Sequence, residues 1–357
     1  MLLPVLTADV APVRGVVKQT PDDFRVEEIP AYPPAGQGGH LFVTFEKTGL
    51  TTREAVRRIA DALGVNERAA GFAGMKDRQA VTVQTASFEG ADVERARALS
   101  LDGIRVLAAE AHTNKLRTGH LRGNRFRIRV RTEGDPELAA REMGRALARL
   151  VREGVPNYFG EQRFGIEGRN EHEARRWLVE GGRAPRDPWK RKMLLSALQG
   201  LLFNRVLAMR VEAGTFARAL EGDLCKLHAT GGEFLVEDVA REQARVDAME
   251  ISPTGPMFGA EMRWPGGAVA ALERSVMDDA GLRAETLVAV KAAGAGARRL
   301  LRVPLQDARL LADADGVVLS LSLPKGAYAT VVLRELMKDG LSMRPDAGGV
   351  EGDGSAC

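Results

Sequence analysis

The chain has 357 residues, room for two hydrophobic cores, and its 45 % hydrophobic and 28 % charged residues exclude a disordered or fibrous protein. Lys and Arg number 51 against 48 Asp and Glu, so the total charge announces no nucleic-acid partner and the placement of the charges has to decide. Two distant cysteines, Cys225 and Cys357, exclude a disulfide framework or a cysteine zinc site. Neither a leader-like start nor an unbroken run near the roughly 18 apolar residues needed to cross a bilayer is visible, and a cytoplasmic location is expected.

In chain order, 24–29 and 41–46 read as strands separated by a loop over 30–39. Thr51-Thr52-Arg53-Glu54 reads as a capping box opening a helix to about residue 63, with Ala55, Ile59, Ala60 and Leu63 on one face. A charged turn follows, then a strand over 80–88, a helix over 93–100 and a strand over 104–109. Residues 124–131 alternate strictly: Phe126, Ile128 and Val130 point one way, and Arg125, Arg127, Arg129 and Arg131 the other. The pattern predicts an amphipathic helix over 136–154. From about 154 to 302 the chain reads as mostly helical, notably 190–213, with Gly/Pro-rich stretches such as 252–258. A strand over 316–323, the turn Pro324-Lys325-Gly326 and a helix over 327–337 close the pattern. The tail 345–357 is Gly-, Asp- and Ser-rich and is expected to be disordered.

The turn Gly71-Phe72-Ala73-Gly74-Met75-Lys76-Asp77-Arg78 sets one carboxylate between two cations on a glycine-containing loop. Such an anion suits a nucleophile or general base, while on residue types alone a solvated charged turn is the commoner reading. Residues 111–132 carry Lys115, Arg117, Arg122 and the four alternating arginines with no acid, a pattern of a phosphate-binding face or of a solvated sheet face. Asn157-Tyr158-Phe159-Gly160-Glu161-Gln162-Arg163-Phe164-Gly165 concentrates aromatics suited to stacking on bases or to packing an inter-domain hinge. Gly294-Ala295-Gly296-Ala297 lacks the strand and third glycine of a dinucleotide loop, and Asp313-Ala314-Asp315-Gly316 lacks the closing Glu of a calcium loop. With no Walker A run and no metal-ligand spacing among the five histidines, no cofactor is expected.

Taken together, the chain resembles the TruD family of tRNA pseudouridine synthases along nearly its whole length. The resemblance rests on Ala73-Gly74-Met75-Lys76-Asp77 with Ala80-Val81-Thr82-Val83-Gln84 and on Lys18 with Pro21-Asp22-Asp23-Phe24. It continues through Gly39-His40, Thr51-Thr52, Lys115-Leu116-Arg117, Gly123-Asn124 with Phe126, and the 157–165 run. Phe203-Asn204, Gly222-Asp223, Leu323-Pro324-Lys325-Gly326-Ala327-Tyr328 and Arg334-Glu335-Leu336 complete it. It implies an α+β catalytic domain with a central antiparallel sheet, formed by 1–153 and 303–344, and a mostly helical insertion over 154–302, the two making a V-shaped cleft faced by the arginine row. It implies conversion of uridine 13 of tRNA to pseudouridine, with Asp77 as nucleophile and Lys18 as its ion-pair partner. Phe126 would pack on the uracil, and Phe24, Asn124 and Tyr328 would line the pocket. The family usually carries Phe at the Tyr328 position. RNA contacts are expected at Lys76, Lys115, Arg117, Arg127, Arg129 and Arg163, with tRNA as partner, no membrane and a monomeric state. The competing reading is a non-catalytic RNA-binding protein using the same cleft.

Overall fold

The computed structural model describes residues 3–165 and 168–343; the expected disordered tail lies outside the described residues. The largest sheet has eleven strands and is built around Leu121–Thr132, whose alternation sends Phe126, Ile128 and Val130 into the core. Phe24–Pro30 and Gly316–Pro324 flank it, both antiparallel. Val81–Glu89 lies beyond Phe24–Pro30 and runs parallel to it, followed by His40–Lys47 and Ile104–His112. Gly15–Val17 adds a second parallel pair, with Leu341–Met343. The sheet is therefore antiparallel except at these two joints, and the α+β class holds.

The helices Pro136–Glu153 and Ala329–Met337 share one core with this sheet: Met143, Leu147 and Leu150 join Ile128, Leu319, Val332 and Leu336. Thr52–Leu63 packs separately on Val43, Phe45 and Phe88 through Ala55, Ile59 and Leu63. Its capping box forms as expected: the Thr51 side chain accepts from the Glu54 amide and the Glu54 carboxylate accepts from the Thr51 amide.

Residues 154–302 hold helices such as Pro188–Glu212 and also a four-stranded antiparallel sheet, which the helical reading lacked. Its strands are Glu233–Leu235, Leu224–Leu227, Ile251–Met257 and Ala297–Leu300. Pro253 and Pro256 in Ile251–Met257 gave that stretch the look of a loop, since proline removes a ladder donor. The two ends of the segment pair with each other, Val155–Pro156 against Arg302–Val303. The helix Pro188–Glu212 is long and apolar enough to cross a bilayer by length and composition, where no such stretch was expected. However, 72 % of its apolar window is buried, with Leu194, Leu198, Leu202 and Val206 in a core with Phe258 and Val276. It is thus a core helix here.

Candidate active site

The Asp77 loop connects Gly71–Phe72 to Val81–Glu89. Gly71 is required by close approach: a Cβ there would sit 2.1 Å from the Leu116 carbonyl oxygen. The Gly119 amide donates to the Ala73 carbonyl at 2.8 Å, so residues 116–119 brace the loop from one side. On the other side it hangs from the start of the Thr52–Leu63 helix. The Lys76 amide donates to Thr52 Oγ1 at 2.9 Å, and Arg78 donates to Glu54 Oε1 at 2.6 Å. The same Glu54 that completes the capping box thus also holds the loop.

Two buried lysines fix the loop from beneath. Lys76 pairs with Glu28 at 3.2 Å, both side chains under a tenth exposed. Burial pushes the Glu28 carboxyl above its ordinary range, and the Lys76 charge opposes this. Lys47, 0 % exposed, donates to the Asp77 carbonyl at 2.9 Å and to the Leu50 carbonyl at 2.7 Å. Burial lowers its ammonium to about 8, against the pull of the Asp77 charge.

The Asp77 carboxylate, about a third exposed, accepts from Lys18 Nζ at 2.7 Å, while Lys18 itself is only 6 % exposed. Lys18 adopts φ 61°, an unusual left-handed conformation for a residue with a side chain, which the surrounding contacts must hold. The neighbouring Pro21-Asp22-Asp23 turn is itself fixed: Asp23 accepts from the Thr20 amide and from two nitrogens of Arg131. Burial alone would raise the Asp23 carboxyl, but Arg131 and the Thr20 amide outweigh it and hold the group low. Lys18 Nζ also lies 4.5 Å from the centroid of the Phe24 ring, and Phe24 meets Phe126 edge-on at 6.2 Å. Asn124, on the same face as Phe126, keeps a buried side-chain oxygen with no hydrogen-bond partner among the described residues. An anion with a matched cation, two aromatic rings and an unsatisfied amide therefore share one surface, a set suited to holding a planar polar base beside a nucleophile.

Tyr328 stands half-buried at the N-cap of Ala329–Met337. Arg299 donates to the nearby Gly326 carbonyl at 2.9 Å and stacks on Phe159 at 4.0 Å, tying this turn to residues 154–302. A Cβ at Gly160 would lie 4.0 Å from the Tyr328 ring.

The residues expected to contact RNA occupy varied surroundings. Phe24, Val26 and Glu28 pair across the ladder with Ile128, Phe126 and Asn124, and directly opposed residues share a face. Lys18 and Lys76 join the Asp77 loop to that face. The arginines alternate to the opposite face, so the arginine row does not look onto the Asp77 side. Three of the four are also occupied: Arg125 by Glu27, Arg129 by Asp313 in a two-pronged contact, Arg131 by Asp23. Arg127 has no salt bridge among the described residues. Lys76 is buried and paired, so it supports the loop and does not present its charge to a ligand. Lys115 donates to the Arg68 carbonyl from an exposed position, and Arg117 is exposed. Arg163 lies 5.2 Å from the Phe159 ring centroid. Tyr158 and Phe159 are buried at 1 % and 3 %, and Phe159 is bonded through its backbone to the Asn204 side chain. The aromatic run therefore packs the junction, and those two rings are not open to bases.

Sequence reasoning missed Lys47 and Glu28. The available signal for Lys47 was its place at the end of the apolar Leu41-Phe42-Val43-Thr44-Phe45 strand, and for Glu28 its alternation with Val26 and Phe24 on the inward side. Among the described residues no group of three or more His, Cys, Asp or Glu is placed to hold a metal ion.

A family profile described as "tRNA pseudouridine synthase D (TruD)" matches residues 3–184 and 188–336. The chain belongs to the TruD family. It is 47 % identical over 341 residues to a tRNA pseudouridine synthase D of Anaeromyxobacter dehalogenans, covering 94 % of this chain and 96 % of that protein. It is 45 % identical to one of Thermus thermophilus, covering 94 % and 92 %. The crystal structure of a candidate tRNA pseudouridine synthase D from Methanosarcina mazei shares the fold, with a TM-score of 0.77 at 24 % identity over 94 % of this chain and 96 % of that one.

Proposed function

We propose that this protein isomerises uridine 13 of tRNA to pseudouridine, with Asp77 as the group that acts at the ribose. The observation that carries the reading is the 2.7 Å contact between Lys18 and Asp77, set beside the Phe24–Phe126 ring pair inside the family's own motif. The target base is extruded from its stack at a cost of a few kcal/mol, which aromatic contact offsets. Asp77 then either bonds to C1′ as the C1′–N1 bond breaks, or takes the 2′ proton to open a glycal route. The freed uracil turns and C5 bonds to C1′ as the Asp77–C1′ bond breaks or, on the glycal route, as the 2′ proton returns to C2′; the C5 proton then leaves and N1 is reprotonated. Atoms and electrons balance without a co-reactant, in keeping with a reaction that needs no cofactor. Phe126 packs on the uracil, with Phe24, Asn124 and Tyr328 around it. Residues 1–153 and 303–344 form the catalytic domain and 154–302 the insertion, acting as a cytoplasmic monomer on tRNA.

The test is to map pseudouridine in an unmodified tRNA transcript before and after incubation with pure protein and no added cofactor. Conversion confined to position 13 is expected. Conversion elsewhere overturns the position, and binding without conversion overturns the enzymatic reading in favour of a non-catalytic RNA-binding protein.

A further inference from the structure

Besides the cation-rich 111–132 stretch, a second run of positive charge lies at residues 183–192. Arg183 to Lys192 holds five cations (Arg183, Arg186, Lys190, Arg191, Lys192) and one acid, Asp187. The rest of the chain holds 46 of the 51 cations and 47 of the 48 acids, the 111–132 excess being offset by acids elsewhere. The one acid is spent locally, accepting from the Trp189 amide as the helix cap. Lys190 pairs with Glu173, and Arg191 donates to the Pro185 carbonyl. Arg183, Arg186 and Lys192 are exposed and make no ion pair or side-chain hydrogen bond among the described residues. This contrasts with the arginine row of the large sheet, where carboxylates occupy three of four side chains. Trp189 stands in the middle of the stretch with 53 % of its surface exposed, among the most exposed large apolar side chains described.

We infer that residues 183–192 form a second RNA-contact surface, at which the free guanidiniums and ammonium meet phosphates and Trp189 stacks on an unpaired base. Guanidinium forks match phosphate oxygens, and an exposed indole among cations is a stacking platform for a nucleobase. A chain of contacts leads from it toward Tyr328, which the proposed pocket includes. Gly200, on the same helix, packs against Phe159, which neighbours Gly160 beside Tyr328. Trp189 lies eleven residues before Gly200, about 16 Å along the helix at 1.5 Å per residue. The substrate RNA would thus be held by one arm while its target uridine is extruded at the other. The inference rests on the tRNA reading above, and binding is measured apart from chemistry so that the two fail separately.

The experiment measures binding of a labelled, unmodified tRNA transcript at several salt concentrations by full-length wild type, Arg183→Ala/Arg186→Ala/Lys192→Ala, and Trp189→Ala. Each phosphate contact contributes about 0.7–0.9 to the slope of log K against log salt, so the triple variant should lose about 2–3 of slope. Its KM for tRNA should rise while kcat at saturating tRNA stays at the wild-type value. Trp189→Ala should weaken binding about fivefold or more at fixed salt with the slope unchanged. An unchanged slope and KM in the triple variant, with its melting temperature at the wild-type value, would overturn the inference. So would a triple variant that loses binding to anionic phospholipid vesicles while its tRNA slope stays intact.

Discussion

Lys47 holds the backbone carbonyl of Asp77 from beneath, with its ammonium shared between that oxygen and the Leu50 carbonyl. Among the described residues no carboxylate pairs with it directly, and its hydrogen bonds go to peptide carbonyls. Removing it frees the segment whose carboxylate is proposed to act at the ribose. Lys47→Met should therefore lower kcat by about one to two orders of magnitude with little change in KM for tRNA, because displacements near 1 Å cost up to about 100-fold. An unchanged kcat would show that Lys18 and Thr52 suffice to place the loop.

The same lysine gives a pH signature. Burial brings its folded value down to about 8, from 10.5, while Asp77 and Glu54 pull it up and Lys76 and Arg78 push it further down. Between these two values the unfolded chain holds a proton that the folded protein has released, so this group makes stability rise with pH across that window. In Lys47→Met that contribution vanishes, and the unfolding free energy should climb less from about pH 8 to 10. Parallel wild-type and variant profiles would count against the titration.

Asp77→Asn keeps the shape of the side chain and removes its negative charge. Pseudouridine formation should fall to background while tRNA affinity stays within about twofold, since the lost interaction acts in the transition state. Residual turnover near the wild-type rate would remove Asp77 from the chemistry.

Lys76→Met leaves Glu28 buried without its cation, which costs about 3–5 kcal/mol when a buried pair is broken. Thermal unfolding should register that loss, and the double change with Glu28→Gln should recover part of it. The salt dependence of tRNA binding should not move. A slope shallower by about 0.9 would return Lys76 to the RNA interface.

Arg129→Ala separates the two readings of the basic strand. With Asp313 as its partner it should cost at most about 1 kcal/mol of stability and leave the salt dependence of tRNA binding unchanged. A clear loss of slope would put that sheet face against RNA after all.

What was legible in the sequence was local. Thr51 and Glu54 stand three apart before an apolar stripe, so the capping box and its helix could be read directly. The strict alternation of 124–131 gave both the strand and the two faces it separates. Opaque features depended on partners distant in the chain. Glu27, Asp313 and Asp23 reach the arginines only through the register of neighbouring strands, so a row of cations looked unopposed. Lys47 was missed because nothing in the 41–47 run says that its last residue turns under a loop thirty positions later. Ile251–Met257 was hidden by its prolines, and Tyr158 and Phe159 by the even balance between a stacking surface and a packed junction.

The parallel pairing of Gly15–Val17 with Leu341–Met343 bears on how the molecule is made. Leu121–Thr132 likewise waits for Gly316–Pro324, and Thr7 for Glu335, across most of the polypeptide. The large sheet therefore cannot close until residues 316–343 have been synthesised, and its early strands keep open edges until then. Such late closure favours slow maturation and dependence on chaperones, in contrast to segments such as 188–282 whose contacts are nearer neighbours.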